Sequence, residues 1–151
     1  MSNINNDEKA LLLLEKAVER AKVSLEVTQK FRPFMMILNK DGAASTIENQ
    51  VEDMQDSYDR LGDSLKDRVK SDDIDVLVLA VDAMMPSRFG KGSLHSIRLH
   101  IEEQSQLQKD ISARFIYLPY RLYSIEGKIV VELDTPVPVG FPAEYLLKNS
   151  Q

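Results

Sequence analysis

The residues best suited to chemistry lie between Arg88 and Arg114. His95 and His100 are the only histidines among 151 residues. A strand over 94–103 places Ser96, Arg98, His100 and Glu102 on one side and Ile97, Leu99 and Ile101 on the other, because side chains alternate across a strand. A hairpin partner carrying Ser112 and Arg114 would bring those two beside His100. An imidazole between a guanidinium and a carboxylate has the makings of a general base or of a polar ligand pocket. The plainer reading is a solvated polar sheet face, common in antiparallel sheets. Just upstream, Arg88-Phe89-Gly90-Lys91-Gly92-Ser93 is basic in an acidic chain. Its glycines let backbone N–H groups approach a phosphate or carboxylate. It is not a nucleotide-binding loop, because Gly92 follows Lys91 and no helical pattern comes after it. Arg88, Lys91, Arg98, His100, Glu102 and Arg114 form the candidate ligand-binding set.

Other chemistries find less support. The chain has no cysteine, which excludes disulfides, thiol nucleophiles and thiolate metal sites. A metal needs three or four convergent ligands, and His100-x-Glu102 supplies two. Asp82 adds a third only if its strand neighbours theirs in the right register. No Gly-x-Ser-x-Gly elbow is present, and Glu102 and Glu103 point to opposite faces of their strand. No catalytic residue, metal or cofactor is assigned, and the expectation leans away from an enzyme.

The second candidate surface is acidic. Glu48, Glu52, Asp53, Asp56, Asp59 and Asp63 follow one another with only Arg60 to answer them before Lys66. Exposed helices are often charged simply for solvation. The sharper reading is a docking surface that draws in a basic partner. The net charge of −5 opposes a polyanion, so no nucleic-acid partner is expected. The longest apolar runs, Ala10 to Leu14 and Val76 to Val81, are too short to span a membrane. The polar, acidic N-terminus is unlike a secretory signal. Together these point to a cytoplasmic protein.

The elements that must position these residues form one α+β domain over 1–151. A helix from about Asp7 to Thr28, capped by Asn5 or Asn6, carries Leu11, Leu14, Val18, Ala21 and Leu25 on one face, widened by Leu12, Leu13 and Ala17. A strand from Phe31 to Leu38 turns through Asn39-Lys40-Asp41-Gly42 into a short return strand, Ala43 to Thr46. A second helix runs from about Ile47 to Lys70, with Ile47, Val51, Met54, Tyr58, Leu61 and Leu65 inward and Gly62 at a place for close packing. Ile74 to Ala83 is a strand apolar on both sides, hence covered on both. Strands from Leu94 to Glu103, Ile111 to Ser124 and Lys128 to Leu133 follow too closely for parallel crossovers, so they pair antiparallel. Pro119 and a change of inward-facing residues predict a β-bulge or bend near Leu118–Tyr120. The Glu126-Gly127 turn then pairs Arg121 with Glu132 and Leu122 with Val131. The proline-rich apolar tail from Asp134 lies across the body or on a partner, with Tyr145 to Leu147 closing in a helical turn.

The expected fold is a mostly antiparallel sheet of about five or six strands with two long N-terminal helices packed on one face. The other face of the apolar strand would then need cover, which points to a homodimer. The expected function is a non-enzymatic, acidic interaction protein that binds, neutralises or chaperones a partner protein. The alternative is a small-molecule or anion-binding domain built on the 88–93 loop and the polar face of strand 94–103.

Overall fold

Tight turns at two glycines set the register of the sheet. Gly42 takes φ +91°, its N–H bonds the Asn39 carbonyl at 2.9 Å, and the Asp41 carboxylate accepts from the Ala43 N–H at 2.8 Å. At the second turn, Glu126 and Gly127 have φ of 52° and 80°, the paired positive values of a two-residue hairpin turn. This turn pairs Arg121 with Glu132 and Leu122 with Val131, as the charge pattern predicts.

The structure is a computed structural model that describes residues 6–71, 73–89 and 94–146. Its elements are α1 (Asn6–Thr28), β1 (Phe34–Asn39), β2 (Ala44–Ile47), α2 (Met54–Ser71), β3 (Ile74–Met84), β4 (His95–Glu103), β5 (Ala113–Ile125), β6 (Lys128–Leu133) and β7 (Val137–Phe141). Short 3-10 turns at Ser87–Phe89 and Gln104–Gln106 lie in the connections. The strands form one sheet in the order β2-β1-β3-β4-β5-β6, with β7 also on β5. Every pairing is antiparallel. The expected α+β class and antiparallel ribbon are present, with seven strands rather than five or six. The seventh is the tail: β7 pairs β5 on one side, and proline is tolerated in such an edge strand.

The helices do not share a face. Strand alternation sends Val76, Val78 and Ala80 of β3 to α1, where they meet Ala10, Leu13, Ala17, Ala21 and Leu25. Leu77 and Leu79 go to the other side, against Leu61 and Leu65 of α2 and Tyr145 and Leu146 of the tail. The expectation of two helices on one face is therefore corrected, and α2 is mid-chain, not N-terminal. β3 is apolar on both sides because both sides are covered within the chain. A second copy is not needed to cover it. Contacts of α1 with β1, β3, β4 and β6 mean that the sheet curls around this helix.

Two local readings also change. The second helix begins at Met54, not Ile47. Ile47 belongs to β2, and residues 48–53 form an ordered connection. There the Asn49 side chain accepts from the Val51 N–H and the Ser57 hydroxyl and donates to the Ser57 carbonyl. Arg32 donates to the Val51 carbonyl. Asp53 then caps α2 by accepting from the Asp56 N–H at 2.9 Å, a preferred way to start a helix. The irregularity near Pro119 exists, but on the partner strand. β5 keeps an unbroken register with β4. Opposite its other edge, β6 stops at Leu133 and β7 starts at Val137, so 134–136 face only Leu118 and Pro119. The Asp134 N–H bonds the Pro119 carbonyl at 2.8 Å. The apparent switch of apolar face along β5 arises because Phe115 and Tyr117 serve the α2 side, while Leu118, Tyr120 and Leu122 serve the α1 side. The expected capping at Asn5 and the end of the tail at Leu147 lie outside the described residues. No helix among the described residues is long and apolar enough to cross a membrane.

Candidate functional site

Ser96, Arg98, His100 and Glu102 of β4 face the α2 side, but together they do not form an open pocket. His100 and Glu102 are 1% and 0% exposed. His100 Nε2–H donates to Glu102 Oε2 at 2.7 Å. The same carboxylate accepts from the backbone N–H groups of Glu144, Tyr145 and Leu146 at 2.8–3.2 Å. Burial alone would raise the Glu102 pKa; the bonds from His100, Leu146 and Glu144 outweigh it and hold the carboxyl below its usual range. The imidazole is boxed by rings: Phe115 and Phe141 meet it edge-on at 5.3 and 5.1 Å, and Tyr145 lies at 5.4 Å. The pair thus anchors the C-terminal segment. Both side chains are buried, and the Glu102 carboxylate is bonded by the imidazole and the tail backbone rather than turned to solvent.

The remaining members of the candidate ligand set are dispersed. Arg114 sits opposite Ile101, so it faces the α1 side, away from Arg98 and His100. It pairs with the buried Glu103 at 3.6 Å. The expected neighbourhood of Arg114 and His100 is off by one residue of register, because Phe115, not Arg114, stands across from His100. Arg88 lies with its Cζ 4.9 Å from the Phe89 ring, and Phe89 packs on Tyr117 at 6.3 Å. Lys91 lies outside the described residues. Arg98 is on the α2 side with its Cζ 4.6 Å from the Phe115 ring centre and 5.5 Å from that of Tyr58. Beside it, burial raises the pKa of the Tyr58 hydroxyl, and Arg98 opposes the rise.

The acidic series also divides. Glu48 ion-pairs with Arg20 of α1 at 2.8 Å, and Asp53 caps α2. Glu52 lies in the connection before that helix. Asp56, Asp59 and Asp63 are exposed on α2, and the structure adds Asp67 to them. Asp56, Asp63 and Asp67 step by seven and four residues, so they form one line along the helix. None of the four aspartates makes an ion pair with a described residue.

One cluster was not legible in the sequence. Asp82 Oδ2 accepts from the Tyr120 hydroxyl at 3.0 Å and its Oδ1 meets His95 Nδ1 at 3.2 Å. Asp82 stands across from Ile97, on the α1 side, so it cannot join His100 and Glu102 as a metal ligand. No cluster of three or more metal-ligating side chains occurs among the described residues.

No protein-family model matches the chain, and neither a curated protein nor a solved structure matches it.

Proposed function

We propose that the protein is a non-enzymatic, cytoplasmic interaction protein that binds a basic partner protein through the outer face of α2. The observation that supports this reading is the line of exposed aspartates, Asp56, Asp59, Asp63 and Asp67, with no ion-pair partner among the described residues. Unpaired like charges on adjacent turns repel one another and destabilise an isolated helix. A basic partner relieves that repulsion, and the field of the face speeds its approach. The inward-turned His100–Glu102 pair and the dispersal of the other basic residues weigh against a catalytic or six-residue ligand site on β4.

The test is affinity capture from the native cell, with the wild type beside a variant carrying Asp56→Asn, Asp59→Asn, Asp63→Asn and Asp67→Asn. The reading expects a basic protein that the wild type retains and the variant loses. Retention of the same proteins by both would refute it.

A further inference from the structure

We propose that Arg98 anchors a binding site for a small apolar monocarboxylate, separate from the acidic face of α2. β4 sets Arg98 between Val81 of β3 and Tyr117 of β5, its direct cross-strand neighbours. Tyr58 of α2 and Phe115 of β5 supply aromatic rings within 5.5 Å of its Cζ. The rings offset part of the cost of withdrawing a guanidinium from water, but they do not neutralise it. Its Nε is shielded from solvent and meets no acceptor, and no described carboxylate lies within ion-pair distance of it. The acids on the neighbouring stretches of β3 and β4 are committed elsewhere: Asp82 to Tyr120 and His95, Glu102 to the tail and His100, and Glu103 to Arg114. Arg98 is therefore a partly buried cation without a counter-ion among the described residues.

A cavity of about 400 Å³ opens beside it, lined by Met54, Gln55, Tyr58, Val81, Asp82 and Ala83 together with Arg98; the Asp82 carboxylate is held by Tyr120 and His95 on the α1 side. That volume lies in the range of small-ligand sites, roughly 300–1,000 Å³. Its chemistry is divided. Met54, Val81 and Ala83 offer apolar surface, while Arg98, the Tyr58 hydroxyl and the Gln55 amide offer donors. A guanidinium matches a carboxylate in two-point geometry, and the apolar walls take the body of the molecule. Phosphate fits less well. It brings a higher charge to a site with one cation, and Glu144 and Asp59 both exert a negative field at Tyr58. A single negative charge meets less of that repulsion.

The full chain should be titrated with benzoate and, separately, with inorganic phosphate, following both thermal unfolding and backbone amide shifts. Benzoate is expected to raise the unfolding temperature and to shift the amides around Tyr58, Arg98 and Tyr117 saturably. Arg98→Met should weaken that binding by roughly tenfold or more, as loss of a charge-assisted bond implies. Ala83→Leu fills the cavity without touching the guanidinium and should also abolish the shifts. Arg121→Met, which removes an exposed guanidinium on the β5–β6 hairpin, should leave them unchanged. The proposal is overturned if benzoate gives no saturable change, if Arg98→Met and Ala83→Leu bind it as the wild type does, or if phosphate binds as tightly.

Discussion

Glu102 has the most to lose from substitution. It is a fully buried carboxylate bonded by one imidazole and three consecutive backbone N–H groups. Glu102→Gln puts an amide donor among donors, and it should cost about 3 kcal/mol in urea unfolding. The same bonds hold the Glu102 pKa below its usual 4.5. A depressed carboxyl stabilises the folded protein fully above its unfolded value and loses that contribution as pH falls through the lower, folded one. Wild-type stability should therefore drop on acidification below about pH 4.5, and Glu102→Gln should flatten that limb. Tyr145 works from the alkaline side. Burial first, then Tyr58, Glu144 and Glu102, push its hydroxyl up to about 12. Stability should fall as pH rises from 10 towards 12, and Tyr145→Phe should lessen the fall. The sharing of a face by His100 and Glu102 was legible from strand alternation. Their role was not, because the groups that fill Glu102's acceptor sites lie 42–44 residues further along the chain.

At the scale of elements, local signals are legible where they are strong and close together. Alternation of β4, the turn at Glu126-Gly127 and the charge pairing of Arg121 with Glu132 all follow from neighbouring residues. The start of α2 is hidden in the sequence because Ile47 and Val51 continue its periodicity by coincidence. Asn49 and Asp53 overrule that pattern by bonding the backbone in a non-helical path. Leu107 shows the same limit. It sits in a polar connection, yet it is buried in the core beneath α2. The joint between α2 and the tail gives a direct test of packing. A Cβ at Gly62 would lie 3.0 Å from the Tyr145 hydroxyl oxygen. Gly62→Ala gains about 1 kcal/mol of helix propensity but crowds that hydroxyl. In a double-mutant cycle, Gly62→Ala should be more favourable in a Tyr145→Phe background than in the wild type, by about 0.5 kcal/mol or more. Additive effects would mean that the tail does not seat against Gly62.

At the scale of the whole molecule, the curled sheet holds α1 in its concavity and α2 with the tail on its other side. Composition and strand order gave the α+β class. The division of the helices between faces was implicit in Ile74–Ala83, which needs cover on both sides, but nothing near it in sequence says which helix supplies which cover. The buried line of α1 is likewise rotated from the expected one: Leu11 is 55% exposed, whereas Ala17 and Ala21 are fully buried. Small residues let the helix approach the sheet closely, so Ala17→Leu should destabilise the protein by about 1–3 kcal/mol through overpacking, measured by thermal or urea unfolding. The arrangement leaves the acidic line of α2 facing outward, and the central functional claim rests on that line. The most direct measurement is the affinity of the captured partner as salt rises from about 0.05 M to 0.5 M, a range over which exposed charges become heavily screened. The account predicts steady weakening for the wild type and a much flatter, weaker profile for the variant with Asp56, Asp59, Asp63 and Asp67 changed to Asn. An affinity that ignores both salt and these four substitutions would contradict it.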